Sequence, residues 1–164
     1  MNTIQINKVL TKDVKYFQGV YPIDLLTSTL TKPLIIIISL DKPYMPGSHC
    51  VAVCLSDFRY AEYFDSYGLP PYKLEIMAYL QRHSISCTFN RHILQGLTSN
   101  VCGHYCCIYA LHRARGICVT SFVNILLPAR YTCNDIRVVR VFLAQLGEFP
   151  TCSRLEEQQQ SCKL

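Results

Sequence analysis

His49-Cys50-Val51-Ala52-Val53-Cys54-Leu55, a turn at Ser56-Asp57, and then Arg59-Tyr60-Ala61-Glu62-Tyr63-Phe64-Asp65 form the stretch that decides how this chain folds. Both flanks are dominated by apolar and aromatic residues, and the polar pair between them supplies a turn, so the segment reads as a β-hairpin. In an antiparallel pair the start of one strand lies beside the end of the other. His49 and Asp65 are therefore expected side by side at one end of a sheet.

Working upstream, the apolar run Leu34 to Leu40 predicts a buried strand, and Asp41 to Ser48 holds two prolines and a glycine that end it. The first 32 residues give no firm element, only a turn at Gly19 within Tyr16-Phe17-Gln18-Gly19-Val20-Tyr21. Downstream, Ser66 to Pro71 reads as a loop. The spacing of Leu74, Met77, Ala78 and Leu80 predicts a helix over 72–82, and Ile85 to Leu94 predicts a strand showing Cys87, Phe89, Arg91 and Ile93 on one side. From Gly103 to Arg115 there is no proline, apolar residues recur at helical spacing and Gly116 follows as a stop, so Cys102 is expected at a helix N-terminus. Val119 to Leu127 fits either a helix or a strand. Asn134 is expected to cap a helix running through Val138, Phe142 and Leu146 to Gly147. No internal repeat is present, and the tail beyond Pro150, with Glu156-Glu157-Gln158-Gln159-Gln160, reads as loosely ordered and solvated.

A chain of 164 residues, half of them hydrophobic and 16% charged, suits one domain spanning 1–164 with its own core. The N-terminus lacks a basic region followed by an apolar run and a small-residue cleavage site, so a secreted protein is not expected and the ten cysteines are expected as thiols. The run at Leu34 is far short of the roughly 20 residues that cross a bilayer, so no membrane association is expected. The net charge of +5 suits a polyanion, although the basic residues are scattered and form no block. A monomer is expected.

A nucleophilic cysteine needs its thiolate stabilised, which a helix N-terminus and a nearby imidazolium both do. Cys102 is placed for the first and His49 for the second, with Asp65 to orient the ring. Gln95, ahead of Cys102, could donate its amide to a developing oxyanion beside the Cys102 backbone N–H. The remaining cysteines, Cys50, Cys54, Cys106, Cys107 and Cys118 among them, are expected as inert core thiols. A zinc site drawing on Cys102, His104, Cys106, Cys107 and Cys118 lacks the two separated ligand pairs that structural zinc uses, so no metal is expected. His83, His92, His104 and His112 have no nucleophile to serve, and Tyr60, Tyr63, Phe64 and Tyr67 read as packing residues.

Gly47-Ser48-His49, Tyr63-Phe64-Asp65-Ser66-Tyr67-Gly68, Leu94-Gln95-Gly96 and Val101-Cys102-Gly103-His104-Tyr105-Cys106-Cys107, in that order, resemble the adenovirus-type cysteine proteases. The early Tyr16-to-Tyr21 segment is similar too, so the resemblance runs from about residue 14 to about residue 115; the C-terminal third matches weakly. It implies an α+β fold, a mixed central sheet packed between helices, with His49, Asp65, Gln95 and Cys102 as the catalytic set. It also implies cleavage after glycine in viral structural precursors with small residues around the bond, a place in the host nucleus and the virion, no cofactor for the chemistry, and activation by DNA or by a disulfide-linked peptide. Two departures stand out: Cys50 sits where such proteases carry tryptophan, and Asp65 replaces their glutamate, as in the related ubiquitin-like-modifier proteases. A protease of that second kind, and a non-catalytic nucleic-acid-binding module, are the competing readings.

Overall fold

Residues 2–26, 31–42, 49–127 and 129–147 are described by the computed structural model. Gly47 and Ser48 of the resemblance, and the tail read as loosely ordered, lie outside them. Five strands, β1 (Phe17–Pro22), β2 (Leu34–Ser39), β3 (Cys50–Leu55), β4 (Tyr60–Phe64) and β5 (Ser86–Phe89), form one sheet in that order. β1 runs parallel to β2 and β5 parallel to β4, whereas β2–β3 and β3–β4 are antiparallel, so the sheet is mixed. The expected hairpin is β3–β4.

Among the described residues five α-helices accompany the sheet: α1 (Thr3–Asp13), α2 (Leu74–His83), α3 (Cys102–Ala114), α4 (Val119–Leu126) and α5 (Tyr131–Leu146). The isoleucines of β2 explain the layering. Ile35 and Ile37 point into a core shared with α1, α3, α4 and α5; Ile36 and Ile38 point the opposite way, into a core with Ile76, Tyr79 and Leu80 of α2. A strand buried on both faces needs a continuous apolar run, and helices then cover both sides. The architecture is α+β, a mixed sheet packed between helices.

Several sequence expectations need correction. α1 and β1 lie in the unassigned N-terminal region, where the reciprocal Asn2–Gln5 capping box starts α1 and Ile6, Val9 and Leu10 bury its inner face. The buried stripe of α2 is Ile76, Tyr79 and Leu80, while Leu74 is 78% exposed: tyrosine carries the apolar spacing one step away from the expected face. β5 ends at Phe89 rather than Leu94, because the Asn90 side chain takes over the bonds to its neighbour. Val119–Leu126 is a helix. α5 begins after Arg130, not at Asn134, whose amide instead reaches the Leu126 carbonyl at 3.1 Å. Seven described cysteines are free, but Cys133 is disulfide-bonded.

Candidate active site

The hairpin register sets the first half of the site. Ala52 pairs with Phe64 at the open end of β3–β4, so continuing past that rung brings His49 to the level of Asp65 and Tyr67. The His49 Nε2–H donates to Asp65 Oδ1 at 3.0 Å. Asp65 is fully buried, and the Tyr67 N–H donates to the same oxygen at 2.8 Å. The ring of Tyr67 lies 5.0 Å from that of His49, tilted by 31°, and so packs the histidine in a chain that lacks tryptophan. Tyr67 thus does more than pack a core.

Asn90 holds the acid strand end from behind. Its Oδ1 accepts the Asp65 N–H at 2.9 Å and its Nδ2 donates to the Asp65 carbonyl at 2.6 Å, a two-way clamp on the backbone that carries the carboxylate. Asn90 is buried and was not singled out in the sequence; an asparagine just after a strand is a signal for such side-chain-to-backbone bonding.

The second half of the site is the start of α3. Its N-cap, Val101, offers no side-chain acceptor, so the first N–H groups of the helix, including that of Cys102, remain for another acceptor. α3 packs on β3, and the Cys106 thiol, one turn beyond Cys102, lies 3.4 Å from the Cys50 carbonyl. This contact brings the opening turn of α3 against the residue that follows His49.

Electrostatics then couple the two halves. Burial opposes a charge on His49, but its bond to Asp65 and the nearby charges of Asp65 and Cys102 raise its pKa to about 9. Its Nδ1, the nitrogen not used on Asp65, is buried and has no hydrogen-bond partner. The Cys102 thiol is lowered to about 4, first by the neighbouring Cys50 thiol, against the opposing effect of burial, and then by the proximity and charge of His49. The proximity of Cys102, together with burial, pushes the Cys50 thiol far up, so Cys50 stays protonated. Cys50 is therefore a partner of Cys102 and not an inert core residue. Cys54, Cys106 and Cys107 are buried as expected, whereas Cys118 is exposed.

Gln95 is 1% exposed and lies in the loop beyond β5, not at a strand end. Its Oε1 accepts from the Ser66 hydroxyl at 2.7 Å; its Nε2 donates to the Ser99 carbonyl at 2.7 Å and to the Tyr67 hydroxyl at 3.1 Å. Both amide hydrogens are thus engaged. Donation to an oxyanion requires exchange of the longer bond, the one to Tyr67. His49, Asp65 and Gln95 are joined at one end of the sheet, directly or through Ser66 and Tyr67, and the start of α3 places Cys102 near His49.

Similar structures are known. The ASFV pS273R protease matches with a TM-score of 0.50 at 17% identity, over 72% of this chain and 45% of that one. The central domain of the uncharacterized Lpg1148 protein from Legionella pneumophila matches with a TM-score of 0.50 at 16% identity, over 90% of this chain and 98% of that domain. At these identities the likeness is one of fold: the chain has the fold of a protease domain and spans less than half the length of the first of these relatives. A scan against protein-family models gave no match, and a search of curated proteins gave none.

Proposed function

We propose that this protein is a cysteine endopeptidase of the adenovirus-protease kind, acting through Cys102, His49 and Asp65. The observation that carries the reading is the set itself: a buried aspartate bonded to one ring nitrogen of His49, and near the ring a cysteine at an uncapped helix start. The fold shared with the ASFV pS273R protease supports it.

In this mechanism the Cys102 thiolate attacks the scissile carbonyl carbon, and the C=O electrons move onto oxygen. The Cys102 backbone N–H and a Gln95 amide N–H, exchanged from Tyr67, receive that oxyanion; one such donor typically contributes on the order of 10²–10³ in rate. The His49 imidazolium protonates the departing amine, leaving a thioester. Neutral His49 then takes a proton from water, which attacks the thioester carbonyl, and the collapse restores thiolate and imidazolium. Asp65 holds the ring throughout.

The substrates proposed are viral structural precursors cut after glycine between small residues, in the nucleus and the virion. DNA, suited to the +5 charge, or a disulfide-linked peptide would activate the enzyme. Incubation with short peptides containing an internal glycine, and separately with a ubiquitin-like modifier fusion, tests this. Cleavage after glycine in the peptides, lost in Cys102→Ala, is the expected result. Cleavage of the fusion alone would move the protein to the modifier proteases. Salt-sensitive DNA binding without any thiol-dependent cleavage would leave a binding module.

A further inference from the structure

The site has one more anchor, on a helix that the sequence resemblance barely covers. Asp135, in the second turn of α5, accepts the Gly96 N–H at 3.2 Å and 3.3 Å through its two oxygens, and its Oδ1 lies 2.9 Å from the buried Tyr105 hydroxyl of α3. The single hydrogen of that hydroxyl is shared with the Leu94 carbonyl, 2.7 Å away. The backbone is thus held on both sides of Gln95, at Leu94 and at Gly96. The Gly96 carbonyl in turn accepts from Ser99, whose own carbonyl accepts the Gln95 amide. The chain of bonds runs from α5 through the 96–99 turn to the Gln95 side chain.

The glycine after Gln95 follows from this. A Cβ at position 96 would stand 2.8 Å from Asp135 Oδ2, closer than real Cβ atoms come, so the carboxylate and the missing side chain fit one another. We propose that Asp135 is a positioning residue that sets the Gln95–Gly96 segment for the tetrahedral intermediate. This rests on the protease reading. It adds α5, through Asp135, as a support of the oxyanion side beside Ser66 and Tyr67, whereas Asp135 bonds neither His49 nor Cys102, so its loss should reach the oxyanion side first.

Two probes read the two sides. Iodoacetamide alkylation of Cys102 reports the ion pair, while reversible addition of Cys102 to acetyl-Leu-Ala-glycinal forms an S–C bond and moves the carbonyl electrons onto an oxygen that needs the oxyanion donors. Small displacements of catalytic groups are costly, so Asp135→Ala should weaken aldehyde binding about tenfold or more while alkylation stays within about twofold. Asp135→Asn keeps one acceptor oxygen and should fall between. Gly96→Ala should also weaken the aldehyde, but add little in the Asp135→Ala background, where the carboxylate it would strike is gone. Unchanged aldehyde affinity in Asp135→Ala, parallel loss of both probes, or additive losses in the double variant would overturn the proposal. A wild-type protein that bound no aldehyde would overturn the protease reading, and this inference with it.

Discussion

Cys50 directly follows the histidine, and two residues surround the His49–Cys102 side of the site. Tyr67 packs the His49 ring, and Cys50 turns its thiol to Cys102. Hydrogen bonds to charged groups contribute about 1.5–3 kcal/mol, so Cys50→Ala should raise the pH midpoint of Cys102 alkylation by about one to two units. Cys50→Ser, which keeps a donor, should shift it less; equal midpoints in all three proteins would remove Cys50 from the site. That His49 and Asp65 meet was legible in the sequence because the hairpin sets them at one end of the sheet, and Cys102 at a helix start because the apolar period of α3 begins there. Cys50, Tyr67, Asn90 and Asp135 were not. Their roles lie in contacts between segments distant in sequence, and a buried cysteine or tyrosine is ordinarily core.

At the level of elements, the loop leaving β4 and the loop leaving β5 act as one unit. Asn90 clamps Asp65, and the Ser66 carbonyl accepts the N–H groups of Leu94 and Gln95. Gly68 closes the unit. Its φ of +70° is strained for any residue with a side chain, and a Cβ there would lie 2.7 Å from the His92 backbone. Gly68→Ala should cost about 2 kcal/mol or more, seen as a lower urea midpoint, and should reduce Cys102 reactivity because Asp65 moves with the loop. An unchanged midpoint would contradict the close approach. The hairpin, β2 and α3 were readable because their apolar periods are strong. α1 was overlooked despite its capping box, and β5 was read too long because alternation persists through Arg91 and Ile93 after side-chain bonding has replaced strand pairing. The true face of α2 was hidden by counting methionine and alanine ahead of tyrosine.

For the whole molecule, the linked pair fixes how stability varies with pH. Folding raises His49 from 6.5 to about 9, so its contribution is full below pH 6.5 and is lost as pH rises to 9. Folding lowers Cys102 from 9.0 to about 4, so its contribution is present above pH 9 and is lost as pH falls to 4. Between pH 6.5 and 9 the gain and the loss cancel, and between 4 and 6.5 only the cysteine acts. The pair's contribution should therefore rise from pH 4 to 6.5 and then stay level to 9. In Cys102→Ser, which removes the cysteine's contribution and part of what raises His49, the rise from pH 4 to 6.5 should disappear. Urea midpoints across this range, taken as differences between the two proteins, check it, and parallel curves would deny the ion pair. The most direct test of the central claim is iodoacetamide labelling of the intact protein at pH 6.5, mapped by peptide mass spectrometry in wild type and His49→Ala. A single dominant adduct on Cys102 that is lost without His49 is the predicted result. Labelling spread evenly over the exposed thiols, indifferent to His49, would contradict it.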